Sequence, residues 1–474
     1  MTRTYIKDLA SQAGQKVLLK GWVVNRRDLG KIVFLDLKDF SGQTQVVVVP
    51  QKEAAYAGAQ KVRDWWVVAI EGTAQKRPAN MIKPGVTGGD MELAAESLTI
   101  INEAKALPFP VNTDGYDISE ELRLKYRYLD LRRERLLKNL WFRQEYMKRC
   151  REYLMKRYFL EVETPILSKS TPEGSRDFVV PSRLQPGKFY ALPQSPQQYK
   201  QMLMLSGFER YFQFARVFRD EDLRANRLFE HTQLDLEMAF VDMEDVMSLV
   251  EGMVTEIVEG FGFKIQDKPF LRLDHDEIVA QYDSDKPDLR KDKNDPKLMS
   301  FAWVVNWPMF EKNDDGSLVA SHHPFTAVKD EHVAWLGDPS KIFKVRSKQY
   351  DLTLNGQEIF GGSIRTHQPE LLVKIFETLG HTPKDIKSQF GHMLEAFDYG
   401  IPPHGGIGGG VERFLMSLLN EKNIREVVPL PTSTSGLTAI MDSPSAISKD
   451  QLNELHLSVR APKKASAKRT PPRK

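Results

Sequence analysis

Cysteine is nearly absent, with Cys150 the single example in 474 residues. One thiol excludes a disulfide framework and a multi-thiolate zinc centre, and it suits a reducing compartment. Long apolar runs are missing as well: no stretch approaches the ~18 residues that a membrane-crossing helix needs. The opening MTRTYIKDLASQAGQ has neither the apolar stretch of a secretory leader nor the Arg/Ser bias of a transit peptide. The expected location is therefore cytoplasmic, without a membrane partner. A large charge excess of one sign is also lacking. The formal net charge is +3, yet the last fifteen residues, RAPKKASAKRTPPRK, hold seven Lys/Arg and no acid. The remainder carries 60 basic against 64 acidic residues, so its charge alone does not call for a nucleic acid. The tail, 460–474, reads as a disordered cationic extension, either incidental or an auxiliary RNA contact.

What is present is an ordinary globular composition, 41% hydrophobic and 28% charged, long enough for two or three domains. No internal repeats are found. Residues 1–105 contain short β-branched runs, KVLLKGWVVN, KIVFLDLKD and QTQVVVV, separated by polar or glycine turns. Such spacing predicts a small barrel, with an oligonucleotide-binding (OB) fold as the leading candidate. Residues 106–120 are rich in Pro, Asn, Asp and Gly and read as a hinge. A helical block follows, with Phe142, Tyr146, Met147, Cys150, Tyr153 and Leu154 at helical spacing. From about 161 strands dominate, so 121–459 is expected to be an α+β domain on a largely antiparallel sheet flanked by helices.

Four constellations carry chemistry. In YFQFARVFRDEDLRANRLFEHTQLDLEMAF (211–240) two alternating strands put Gln213, Arg219, His231, Gln233, Asp235 and Glu237 on one face. Arg224 and Arg227 lie in the loop beside it, a mixture suited to a polyanionic ligand. In QYDLTLNGQEIFGGSIRTH (349–367) Asn355-Gly356 marks a type I′ hairpin. Its register sets Thr353 opposite Glu358 and brings Asp351 and Glu358 to one face, where two carboxylates can share Mg²⁺. Strict alternation sends Arg365 to the other face unless a bulge at 360–362 re-aims it. In PPHGGIGGGVERFLMSLL five glycines within six residues lead as a turn into a helix with Val411, Phe414, Leu415 and Leu418 inward and Arg413 at its start. It is neither a Walker loop nor a dinucleotide fingerprint. The SHHPF segment (321–325) has neighbouring histidines without zinc-ligand spacing, equally suited to a carboxylate ligand or a structural loop.

Together these residues resemble the three signature motifs of class II aminoacyl-tRNA synthetases, and specifically the bacterial type of aspartyl-tRNA synthetase. RLKYRYLDLRR, FLEVETPILSKSTPEGSRDF, FYALPQSPQQYKQMLM, FRDEDLRANR, LNGQEIFGGSIRTH and PPHGGIGGGVERF stand in the family's order over about 5–459. The resemblance implies an enzyme in which ATP activates L-aspartate and the aspartyl group then passes to the 3′ end of tRNA(Asp). It implies that Arg219, Glu221 and Arg413 are catalytic, holding the α-phosphate, the adenine edge and the γ-phosphate. Asp220, Leu228, His231, Glu358, Gly410, Val411 and Glu412 complete the implied ATP site, and Asp351 and Glu358 the Mg²⁺ site. For aspartate it implies Glu173 (on a mobile loop), Ser195, Gln197, Lys200, Arg219, Gln233, Asp235, His322, His323 and Arg365. Lys200 and Arg365 would clamp the side-chain carboxylate, and Asp235 would orient the cation. Donor-only guanidinium then selects against asparagine's amide. The resemblance makes 1–105 an anticodon reader in which Phe34 stacks a base beside Arg27 and Gln45. Pro165 would lie in a homodimer interface.

The sequence departs from that pattern in places. A large bacterial insertion is missing, and only KDKNDPKLMSFA (291–302) fills the gap. RLFEHTQ replaces a pattern near RQPEFTQ, so His231 stands for a stacking phenylalanine and Leu228 for a glutamine, while Phe360 stands for a glycine. These changes bear on ATP affinity. Two alternatives remain: an enzyme charging both tRNA(Asp) and tRNA(Asn), against which Leu29 speaks, and a catalytically idle RNA-binding paralogue, against which the retained Arg219, Glu358 and Arg413 speak.

Overall fold

The computed structural model describes residues 1–170, 175–313 and 315–460, so Glu173 and the tail beyond 460 lie outside the described residues. The chain divides into two compact units, Met1–Pro110 and Val111–Lys474. The first is a closed barrel of β1 (Lys16–Leu29), β2 (Ile32–Asp39), β3 (Gly42–Val48), β4 (Val67–Lys76) and β5 (Met91–Asn102) in the order β1-β2-β3-β5-β4. All pairs are antiparallel except β3 with β5. Helix α1 (Glu53–Lys61) joins β3 to β4, as in an OB fold. Alternation explains the core: Val33, Leu35 and Leu37 are buried with Val17, Leu19, Val46 and Ile70.

The expected hinge, 106–120, is irregular but hydrogen-bonded within its second half. Residues up to 110 cluster with the barrel. Beyond that point the Thr113 carbonyl accepts from Arg133 at 2.9 Å, and the Asp114 carbonyl from Arg135 at 3.2 and 3.0 Å. Proline and glycine mark the absence of regular structure there, not the absence of bonding.

The second unit is built on an eight-stranded sheet. In chain order its strands are β6 (Leu160–Glu161), β7 (Arg210–Phe218), β8 (Glu230–Ala239), β9 (Leu271–Asp274), β10 (Phe301–Val305), β11 (Gln349–Leu354), β12 (Gln357–Ile364) and β13 (His404–Gly410). They lie in the order β9-β10-β11-β12-β13-β8-β7-β6. The edge pairs β9–β10 and β6–β7 are parallel and the rest antiparallel. Helices α2 (Glu134–Met155), α4 (Met243–Gly260) and α5 (Val411–Leu418) seal one face: Cys150, Leu154, Val250, Val254 and Phe414 share a core with Phe212, Leu234, Leu236, Leu352 and Ile407. The alternate residues of the same strands form the other, polar face. Helix α3 (Gln197–Leu205) brings Lys200 to it.

Two details differ from the sequence reading. The glycine-rich segment is not a turn but strand β13, inside the sheet. The bulge of the β11–β12 hairpin falls at Ile359, not 360–362, since Thr353 pairs with Glu358 and Leu352 with Phe360. Within 291–302, Leu298–Met299 and Phe301–Ala302 are strand.

Candidate active site

The first part of the site is a cleft lined by Arg219, Glu221, Arg227, Leu228, His231, Gln233, Glu358, Gly408, Gly410, Glu412 and Arg413, with Asn226, Ile359 and Ile424. Strand β8 supplies one wall and the β13–α5 junction another. Arg413 Nη1 donates to the Glu358 carbonyl at 3.2 Å, tying the helix start to the β12 edge. Burial, then the charges of Arg219, Arg413 and Arg216, push His231 down to about 3. Its ring is therefore neutral at physiological pH, so it can lie flat against a base among guanidinium groups without adding charge. Arg227 Nη1 holds Glu221 at 3.0 Å.

The second part is the Asp351–Glu358 pair. The Ile359 bulge shifts β12 by one residue, so Glu358, Gly361, Ser363 and Arg365 share the face of Gln349 and Asp351. A methyl group placed on Gly361 would sit 3.0 Å from Asp351 Oδ1 and 3.6 Å from Glu358 Oε1, so both carboxylates converge over this glycine. Burial and then the Glu358 charge push Asp351 well above the usual carboxylate range, although Gln349 Nε2 donates to it at 2.7 Å. His322 Nε2 stands 3.8 Å from Asp351 and packs edge-on to Trp307.

The third part is a buried charge array. Lys200 Nζ meets Asp235 Oδ1 at 2.9 Å and Glu237 Oε2 at 3.1 Å. Arg365 lays its Nε and Nη2 edge on the two Glu237 oxygens at 2.9 and 3.1 Å, and Nη1 donates to Ser363 Oγ at 2.7 Å. Burial pushes Glu237 upward, but Arg365 and Lys200 outweigh it and hold it down to about 2. Asp235 is raised by burial against the pull of Lys200. Its Oδ1 also accepts from Gln233 at 3.0 Å, while Oδ2 is buried without a hydrogen bond by geometry among the described residues. His323 is driven down to about 3 by burial and then by Arg365 and Lys200, with Nε2 buried and without a hydrogen bond among the described residues. Glu237 fits because β13 carries glycine opposite it. A Cβ on Gly406 would lie 2.0 Å from Glu237 Oε2 and 2.2 Å from the Leu236 carbonyl. Gly406→Ala is therefore expected to lower stability by about 1–3 kcal/mol through overpacking. Thermal melting checks this, and aspartate affinity should fall with it.

The barrel offers a separate face. Phe34 is partly exposed on β2, on the opposite side from the buried Val33 and Leu35. Gln45 is already engaged: its Oε1 accepts from Arg27 at 3.4 Å and from Arg77 at 3.2 Å, and its Nε2 donates to Glu92 at 3.1 Å.

Comparison with known proteins bears on this arrangement. Residues 119–434 match the family of tRNA synthetases class II (D, K and N), and residues 17–101 match an OB-fold nucleic acid binding domain. This chain belongs to the class II tRNA synthetases. An aspartate–tRNA(Asp/Asn) ligase of Geobacillus sp. (strain WCH70) is 38% identical, over 97% of this chain and 98% of its own. An aspartate–tRNA ligase of Lysinibacillus sphaericus is 37% identical, over 97% and 99%. The first alignment runs over 592 positions against a chain of 474, consistent with a missing insertion. Among solved structures, asparaginyl-tRNA synthetase from Pyrococcus horikoshii, complexed with asparaginyl-adenylate, is 25% identical with a TM-score of 0.72, covering 92% of this chain and 99% of that one.

The synthetase's implied site residues do not all point into the site. Val411 is in the core, and Asp220 pairs with Arg176 at 3.5 Å outside the cleft lining. Glu412 lines the cleft, but its carboxylate is bonded to the Thr232 amide and to Arg143. Phe360 lies over Gly409 on the core face, edge-on to Phe414, and is not among the residues lining the cleft. Ser195 Oγ accepts from the Gln197 amide at 3.2 Å, and Gln197 is buried at the start of α3. Pro165 borders a groove with Ile166 and Phe214, and Tyr158, Leu160, Ile166 and Leu167 are exposed nearby in sequence. Glu237, Asn226 and Gly406 carry parts of the site that the sequence reading left without a role. Alternation had put Glu237 on the correct face, which was the available signal.

Proposed function

We propose that this class II synthetase uses ATP to convert L-aspartate to aspartyl-adenylate and pyrophosphate, then transfers the aspartyl group to the 3′ end of tRNA(Asp). The observation that carries the choice of amino acid is the buried Lys200–Glu237–Arg365 array. Its cationic members offer only donors, so a carboxylate ligand is satisfied where an amide's N–H groups are not. Because Glu237 already occupies the Nε–Nη2 edge of Arg365, the ligand meets the remaining N–H groups, together with Lys200. Gln233, Asp235, Ser195, Gln197 and His323 enclose the amino acid, with His322 at its margin. Asp235 Oδ2, which accepts no hydrogen bond by geometry among the described residues, suits an ammonium.

The aspartate α-carboxylate attacks the α-phosphorus in line and pyrophosphate departs, so no side-chain nucleophile is needed. The chain's contribution is alignment and neutralisation of charge. Arg219 neutralises the α-phosphate, Arg413 the γ-phosphate, and Glu221 and the His231 ring receive adenine. The convergent, mutually repelling Asp351 and Glu358 fit Mg²⁺, which when bound supplies Lewis-acid neutralisation of phosphate oxygens. The exposed apolar residues around Pro165 support a homodimer, and Phe34, Arg27 and Gln45 support anticodon reading in the barrel. The lone cysteine supports a cytoplasmic setting, and no helix among the described residues is long and apolar enough to cross a membrane.

A second reading, charging of both tRNA(Asp) and tRNA(Asn), is favoured by the names of several relatives. Pyrophosphate–ATP exchange tests the first step: it is expected with aspartate and not with asparagine or lysine. Exchange with asparagine, or with none of the three, would sink the proposal. Acylation of purified tRNA(Asp) and tRNA(Asn) then separates the two readings.

A further inference from the structure

Strand β13 pairs with β8 only as far as Gly410 opposite Gln233, where the chain leaves the sheet and becomes α5. Beyond that point the next residue of β8, Thr232, has no backbone partner on that side. Its amide donates instead to the Glu412 carboxylate, at 3.0 Å to Oε2 and 3.2 Å to Oε1. That carboxylate is buried, and Arg143 of α2 neutralises it, with Nη2 2.8 Å from Oε1. The same Nη2 donates to Thr232 Oγ1 at 2.9 Å. One turn along α2, Tyr146 stacks on Phe414 of α5 with ring centroids 4.9 Å apart. Arg143 therefore joins three elements distant in sequence at the corner where the sheet ladder stops.

The neighbours of the joined residues are the nucleotide-facing ones. Thr232 lies between His231 and Gln233, and Glu412 precedes Arg413; all three flanking residues line the cleft. We infer that Arg143 is a positioning residue for ATP: it fixes the separation of β8 from the start of α5, and so the distance between His231 and Arg413 across the bound nucleotide. It acts through Thr232 and Glu412 and is itself no part of the cleft lining. Losing it leaves Glu412 buried without a counter-charge, and the carboxylate then draws water or moves, taking Arg413 with it. The aspartate array is held separately, by Glu237 against Lys200 and Arg365.

This inference rests on the reading of the cleft as an ATP site, so the two are separated by measuring each ligand's affinity by equilibrium dialysis, independently of turnover. In Arg143→Met the dissociation constant for ATP is expected to rise about tenfold while that for aspartate changes less than about twofold. Arg143→Lys keeps a cation beside Glu412, but its ammonium ends a shorter side chain than the Nη2 that meets both Glu412 and Thr232, so it should restore part of the ATP affinity. Unchanged ATP affinity in Arg143→Met, or equal losses for both ligands, would overturn the positioning role. A wild-type chain that binds no ATP would overturn both readings. Should Arg143→Met fail to fold, as judged by circular dichroism, Thr232→Val supplies the test, because it removes the Oγ1 acceptor without stranding a charge.

Discussion

In Arg365→Leu, kcat/KM for aspartate in pyrophosphate exchange is expected to fall by about two to three orders of magnitude, while KM for ATP stays within about twofold. Arg365 is buried, and its planar fork places two donors on Glu237 and one on Ser363, which leaves its other N–H groups for the proposed ligand. Leucine removes the ligand's donors and leaves Glu237 with Lys200 alone. Truncating one partner of a buried, hydrogen-bonded charge pair costs about 2–5 kcal/mol, and every 1.4 kcal/mol is tenfold, which sets the range. Arg365→Lys should recover little, because an ammonium cannot cover both Glu237 oxygens and reach Ser363. The nucleotide cleft is bounded by other residues, so ATP binding is spared. A variant with aspartate kcat/KM within about threefold of wild type would show that the array is structural and that carboxylate recognition lies elsewhere.

The parts of this site legible in the sequence were those governed by period two. Alternation placed Gln233, Asp235 and Glu237 on one face of β8 and Leu234 and Leu236 on the other, and the structure has them so. The Asn355-Gly356 turn set the β11–β12 register at Thr353 and Glu358, with both turn residues at positive φ, 49° and 85°. Alternation was least informative where a residue has no side chain to alternate. The glycines of β13 look like a loop in sequence, yet they are small because Glu237, Gln233 and Phe360 from neighbouring strands need the room. The bulge at Ile359 was expected slightly later, at the glycines, because nothing local distinguishes the two positions. Contiguous motif residues were also read too uniformly. Successive residues of a helix point about 100° apart, so in Val411-Glu412-Arg413 one faces the core, one braces β8, and one faces the cleft.

Asp351→Asn should separate activity from stability in opposite directions. The wild-type carboxyl is raised well above its usual range, first by burial and then by Glu358; no Lys or Arg is ion-paired with it among the described residues, and burial lowers His322, 3.8 Å away, below the ordinary histidine value. An acid whose pKa rises on folding holds its proton more tightly in the folded than in the unfolded chain. Folding is then most favoured below the ordinary carboxylate range, and stability falls as pH climbs from that range up through the raised value. At neutral pH without divalent metal, Asp351 therefore costs stability. Asparagine removes that cost, keeps an oxygen to accept from Gln349, and relieves the repulsion on Glu358. In metal-free buffer at pH 7 the variant should melt above wild type, by about 2–4 °C for each kcal/mol relieved. The difference should shrink toward pH 4, where the wild-type carboxyl is protonated in the folded chain and about half protonated in the unfolded one. Exchange activity should nevertheless fall by about a hundredfold or more, since one of the two oxygen donors proposed for Mg²⁺ has lost its charge. A variant that melts below wild type at pH 7 without metal would show that the Asp351 charge is compensated within the protein itself, and the case for a cation at this pair would go with it.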